Sequence, residues 1–140
     1  MSLIIRRQNG FTLIELMVTV AILGIIAGIA YPSFTSYAQQ GRRSEAISKL
    51  LELQMAQERY RVRQAAPIYA DSMTKLVGAA TLTTTYYSYV LSGVTATAFT
   101  VTATPISPGA QASDTGCSTI VVTESGPDIS TAAKKTCWSK

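Results

Sequence analysis

Histidine does not occur in this 140-residue chain, which removes the commonest metal ligand and the usual general base. Only two cysteines are present, Cys117 and Cys137, and they are too far apart for a Cys-x-x-Cys redox or zinc pair. No Gly-rich phosphate loop and no nucleophile elbow is found. Acidic residues number eight, and Asp114, Glu124 and Asp128 are too scattered to form a calcium loop. Charge is scarce, at 14% of residues. No internal repeat or low-complexity tract is seen. These absences argue against an enzyme, and neither a metal nor a cofactor is expected.

An apolar run does stand out, from Phe11 to Tyr31. About 20 such residues suffice to span a bilayer. One charge, Glu15, interrupts it near its start. A carboxylate near the bilayer centre costs roughly 2.5–3.5 kcal/mol on insertion scales, so Glu15 calls for a function. Arg6 and Arg7 precede the run, as they would in an ordinary secretory signal cut after Ala30. Glu15 argues against that reading, and so does Pro32, which would lie directly behind the cut. A plain single-span anchor leaves Glu15 unexplained.

The segment Gly10-Phe11-Thr12-Leu13-Ile14-Glu15-Leu16, with Gly24, Gly28 and Pro32 behind it, resembles the class III signal of type IV prepilins and pseudopilins. The resemblance is specific over about residues 6–32. It implies a cleaved leader, 1–10, cut between Gly10 and Phe11 by a prepilin peptidase that also N-methylates Phe11. Loss of the leader takes two positive charges with it and leaves a net charge of +2 from +4. The arginines would hold the leader on the cytoplasmic side. Residues 11–35 are then the hydrophobic half of a membrane and filament-core helix. Residues 36–140 form a periplasmic head.

The helix is expected from Phe11 to about Gln64. Gly24 and Gly28 each weaken it by about 1 kcal/mol, and Pro32 removes a backbone donor, so a kink is expected there. The resemblance adds that Gly24 to Pro32 is the stretch that melts when a pilin enters a filament. Past Tyr37 the pattern turns amphipathic, with Ile47, Leu50, Leu51, Met55 and Val62 roughly on one face and Glu45–Lys49 as an i,i+4 pair. Ala65-Ala66-Pro67 ends the helix, and residues 67–85 read as a loop.

The period then changes to two. Tyr87, Tyr89 and Leu91 form one strand, and Phe99, Val101 and Ala103 a second, joined through Gly93 as a hairpin. A third strand is expected over about 118–124, followed by a turn at Ser125-Gly126-Pro127-Asp128. The fold class is α+β: a long N-terminal helix packed on a small antiparallel sheet.

For an exported domain the cysteine pair reads as an intramolecular disulfide, against the alternatives of free thiols or an intermolecular bond. Cys117–Cys137 would tie the third strand to the C-terminal tail, like the disulfide-bounded region of type IV pilins. The Cys137-Trp138 ending is similar to small minor pilins of the PilE and ComP type, and a mature length of 130 residues fits a minor role. In such proteins Glu15 of one subunit would meet the Phe11 amine of its neighbour and set register.

The partners implied are other pilin subunits, the prepilin peptidase/methyltransferase, the inner-membrane assembly platform, and the membrane before assembly. The pilus would serve twitching, adhesion or DNA uptake. A pseudopilin of a type II secretion system shares the N-terminal signature. A ComP-like DNA-binding role would fall on Lys134, Lys135 and Lys140 with Trp138 as a stacking group. Three lysines also make an ordinary solvated surface, and the chain lacks the extra cysteine pair of the best-known DNA receptors of this type. Arg59, Arg61 and Arg63 read as filament contacts or solvated charge.

Overall fold

A computed structural model describes residues 10–139. Two units are distinguished, Met1–Tyr37 and Ala38–Lys140. Helix α1 runs over Leu13–Arg63 and stays unbroken through Gly24, Gly28 and Pro32.

In the first unit the helix is apolar all round and every side chain from Leu13 to Phe34 is exposed, as a surface awaiting lipid or neighbouring helices must be. An added Cβ at Gly24 or Gly28 would meet nothing within 4 Å, so no packing within the chain demands glycine there. Pro32 has no N–H to give the Gly28 carbonyl. The Thr35 hydroxyl donates to the Pro32 carbonyl at 2.9 Å.

The second unit continues α1 and adds α2 (Met73–Val77), β1 (Leu82–Thr83), β2 (Tyr87–Ser92), β3 (Thr100–Pro105), a 3-10 turn (Thr115–Cys117), β4 (Ile120–Thr123), β5 (Gly126–Pro127) and α3 (Ala132–Trp138). The strands form one sheet in the order β1-β2-β3-β4-β5, every pair antiparallel. Register aligns the inward residues: Tyr89 pairs with Ala103 and Ala103 with Ile120, while Leu91 pairs with Val101 and Val101 with Val122. These rows pack with Ala46, Leu50 and Leu53 of α1 and with Phe99, Tyr69 and Met73 in one core. Tyr69 meets Phe99 edge to face, with centroids 4.7 Å apart, a preferred aromatic geometry. Burial, and after it the Asp114 carboxylate, push the Tyr87 hydroxyl up to about 12.

Several expectations are corrected. The inward face of α1 is Ala46, Leu50, Leu53 and Gln57, flanked by Ile47, while Leu51, Met55 and Val62 are exposed. The apolar residues occupy two faces, and only one meets the sheet. Lys49 pairs with Glu52 at 2.7 Å rather than with Glu45; both spacings bring partners together on a helix, with energies differing by tenths of a kcal/mol. The 67–85 segment holds α2 and β1, each too short to display a period. The sheet has five strands, not three. The turn after β4 is Glu124-Ser125, and Gly126, at φ 112°, opens β5. Pro127 is tolerated because β5 is an edge strand. The C-terminal tail is helical, with Thr131 accepting the Lys134 N–H at its start.

The deepest contact by which the connector returns to α1 is made by a polar side chain. Gln57 is fully buried, its Nε2 donates to the Ala70 carbonyl at 3.0 Å, and its Oε1 accepts the Ala70 N–H at 2.8 Å. Gln57→Leu would keep the volume but orphan two buried backbone groups. It is expected to lower stability by about 2–4 kcal/mol, read as a shift of the denaturant midpoint of the detergent-solubilised chain. An unchanged midpoint would contradict this account of the connector.

Candidate functional site

At the helix start the sequence Thr12-Leu13-Ile14-Glu15 is a capping box. The Glu15 carboxylate accepts the Thr12 N–H at 2.9 Å and the Thr12 hydroxyl at 2.8 Å. The Thr12 hydroxyl accepts the Glu15 N–H in return, at 3.3 Å. Orphan donors of the first turn are thereby satisfied, and the negative charge complements the positive end of the helix dipole. Phe11 and Glu15 flank a shallow concavity lined by Ile14, Val18 and Thr19. Phe11 is 87% exposed and Gly10 is open. Arg6 and Arg7 lie outside the described residues. Thr12 is the partner that a search for isolated charges overlooks, although the Thr-x-x-Glu spacing signals it.

At the other end Cys117 and Cys137 form a disulfide, with Cα atoms 5.6 Å apart. It joins the 3-10 turn to α3, not β4 to an irregular tail. Closing a loop of 20 residues is worth about 3 kcal/mol on the chain-entropy model. The turn's own approach is held by α1: Arg43 pairs with Asp114 at 2.9 Å, Gln111 donates to Asp114 at 2.8 Å, and Gln39 donates to Ser113 at 2.9 Å. Trp138 is partly buried against the core and lines a cleft with Ile47 and Leu51.

The three lysines fare differently. Lys134 donates to the carboxylate of Asp128 and to the Ser130 hydroxyl at 3.3 Å, so its charge is largely compensated. Lys135 is exposed. Lys140 lies outside the described residues. Of the arginines, Arg61 bonds the Tyr69 hydroxyl at 3.0 Å and lies over its ring, while Arg59, Arg63 and Lys75 border one shallow cleft. No cluster of metal-ligating side chains occurs among the described residues.

A capped apolar helix long enough to cross a membrane, a head in which an antiparallel meander packs on a helix, and a disulfide near the C-terminus define the class of pilin folds. Residues 5–31 match the prokaryotic N-terminal methylation motif. Residues 32–121, well over half of the chain, match the family described as type IV minor pilin ComP, DNA uptake sequence receptor. The chain belongs to this family. Pilins are structural subunits, not enzymes.

Similar proteins include the type IV major pilin PilA of Myxococcus xanthus, 48% identical over 54 residues, covering 39% of this chain and 24% of that protein. The type IV major pilin PilE of Neisseria gonorrhoeae is 52% identical over 40 residues, covering 29% and 24%. The type II secretion system core protein G of Aeromonas hydrophila is 37% identical over 57 residues, covering 41% and 40%. The matched part of the chain thus spans about a quarter to two-fifths of these relatives.

The Asp128–Lys134 pair has a pH signature. Lys134, and after it Ser130, hold the Asp128 carboxyl down to about 2. A depressed carboxyl contributes stability that is complete above the unfolded value near 4 and is lost as pH falls toward 2. The stability difference between the wild type and Asp128→Asn should therefore be constant above pH about 5, shrink as pH falls through about 2 and be gone near pH about 1. Denaturant titrations across that window check this, and a difference independent of pH would remove the pair from the acid response.

Proposed function

We propose that this chain is a structural subunit of a type IV pilus, a minor pilin incorporated into or priming the filament. The observation that carries this reading is the Thr12–Glu15 box at the tip of an exposed apolar helix. Before assembly the helix spans the inner membrane once, with the head in the periplasm. Prepilin peptidase cuts between Gly10 and Phe11 and methylates Phe11, and the inner-membrane platform passes the subunit to an extracellular pilus serving twitching, adhesion or DNA uptake.

The chemistry follows from the low dielectric. A carboxylate in lipid needs donors, and Thr12 supplies two without leaving the first turn. In a bundle of parallel helices the charged Phe11 amine of a neighbour is a stronger partner, provided the geometry offsets desolvation of both ions. Glu15 thus acts as a register mark, and Thr12 holds it until the amine arrives. Gly24, Gly28 and Pro32, unexplained by packing in the chain, suit a segment that bends or unwinds on docking.

Glu15→Ala is expected to be inserted and processed normally and to fall at least about tenfold in sheared filaments. Quantitative mass spectrometry of the N-terminal peptide, in membranes and in filaments, reads both steps. Normal incorporation would sink the role given to Glu15. A chain absent from filaments in wild-type cells, with a secretion defect on deletion, would favour a pseudopilin, the kind of protein that the core protein G relative is.

A DNA-binding role is the second reading, favoured by the description of the matching family as a DNA uptake sequence receptor. Lys135 and Lys140 are the remaining lysine candidates, since Lys134 is compensated by Asp128. Duplex binding by the detergent-solubilised chain should weaken steeply with salt and drop on Lys135→Ala with Lys140→Ala. No retardation of DNA at low salt would dismiss it.

A further inference from the structure

The outward face of β2, β3 and β4, turned away from α1, carries no charge. Outward residues alternate with the core residues along each strand, and the register sets them in rows. The middle row is Val90, Thr102 and Val121, with Val90 56% exposed. On one side of it lie Ser92, Thr100 and Thr123, and on the other Ser88 and Thr104. Every member is a valine or bears a hydroxyl, and all but the two serines are β-branched. Charge stands at the border and is taken up there. Asp128, whose N–H donates to the Val121 carbonyl at 2.9 Å, pairs with Lys134, and Glu124 accepts the Phe99 N–H at 3.4 Å.

This pattern is its own image. A two-fold axis lying in the plane of contact through Thr102 sets Thr102 on Thr102, valine on valine and hydroxyl row on hydroxyl row. We infer that the face is an isologous docking surface whose occupant is the same face of a second copy of this chain. Interface cores are depleted of charge, and β-branched side chains have little χ1 freedom to lose. The chain's net charge is +4, so copies repel one another overall and approach most freely where no charge lies. With strands about 4.8 Å apart and alternate residues about 6.8 Å apart, the rows cover about 300 Å². A standard interface takes roughly 800 Å² from each partner. The contact is therefore weak, and it serves copies already concentrated in a membrane or along filaments. Subunits within one polar filament are related head to tail, without a two-fold. The contact then joins copies in different filaments, or in the membrane before assembly, a step that rests on the filament-subunit reading.

Crosslinking of the full chain in its host tests this. Packed sheets stand about 10 Å apart, too far for a direct disulfide, so the probe is a short bismaleimide acting on Thr102→Cys. Cys117 and Cys137 are bonded to each other and do not react. Membranes and sheared filaments should yield a dimer at least about fivefold above that from Thr74→Cys, which is exposed on α2. Adding Val90→Lys, which puts an uncompensated charge into the contact, should lower the dimer at least about fivefold, whereas Val90→Thr should leave it within about twofold. Equal dimer from Thr102→Cys and Thr74→Cys, or a dimer that Val90→Lys leaves unchanged, overturns the inference. A dimer in membranes from a chain absent from filaments overturns the proposed function and leaves the docking face standing. A chain present in filaments with no dimer in either fraction overturns the face alone; absence of both sinks both.

Discussion

The two hydrogen bonds between the Gln57 amide and the Ala70 backbone decide where the chain goes after its helix. An amide side chain presents a donor and an acceptor in one plane, and a backbone residue presents the complementary pair. Their meeting closes an interaction that water would otherwise compete for. Both residues are fully buried, and the pair fixes the connector that leads into α2 and β1. Tyr69 is secured from outside as well, since its hydroxyl donates to Glu58 at 2.9 Å and accepts from Arg61. Three residues within five positions of α1 therefore bind two adjacent connector residues, while Gln54 reaches the sheet itself, donating to the Thr123 carbonyl at 3.2 Å.

The same helix answers to two solvents. In the head unit its faces are differentiated: Ala46, Leu50, Leu53 and Gln57 lie inward, while charged residues and Leu51, Met55 and Val62 lie outward. In the N-terminal unit they are not, and the sole charge after Gly10 in that unit, Glu15, is satisfied by its own first turn. That local satisfaction matters to the proposed assembly. A carboxylate with no partner would make the membrane form expensive, whereas one locked in a deep ion pair would have nothing to gain from a neighbour. A threonine lies between these extremes, because its N–H and hydroxyl donate to the carboxylate without bringing a counter-charge. In the proposed assembly a neighbour's Phe11 amine would add the counter-charge that Thr12 lacks.

Much of this architecture was legible in the residues. A run of apolar residues followed by mixed polarity announces a long helix, and the alternation around Tyr87–Leu91 and Phe99–Ala103 announces strands whose inward sets the sheet register bears out. What escaped notice did so for physical reasons. The elements α2, β1 and β5 are too short to repeat the periods used to detect them. Gln57 is polar, so a hydrophobic pattern passes over it, and Leu51, Met55 and Val62 drew attention to the wrong face because apolarity alone does not say which neighbour is being met. The Thr12 box was readable from its spacing, but Glu15 attracts notice as an isolated charge. The compensation of Lys134 by Asp128 is a contact between residues six apart, a spacing that neither the helix nor the strand period singles out.

That compensation changes how the basic residues are weighed. Lys134 is held by a carboxylate and a hydroxyl on the same short segment, whereas Arg59 and Arg63 remain exposed where α1 ends, with Lys75 nearby but engaged by Asp71. A polyanion would gain most where counter-charge is least provided within the chain, since each phosphate contact must displace whatever already neutralises the cation. A neighbouring subunit's acidic residues would be drawn to the same place for the same reason. The end of α1 is thus where the two readings of the head compete. Phosphate contacts would be lost steadily with salt, while a contact supported by the apolar stripe of Leu51, Met55 and Val62 would persist after its ion pairs are screened.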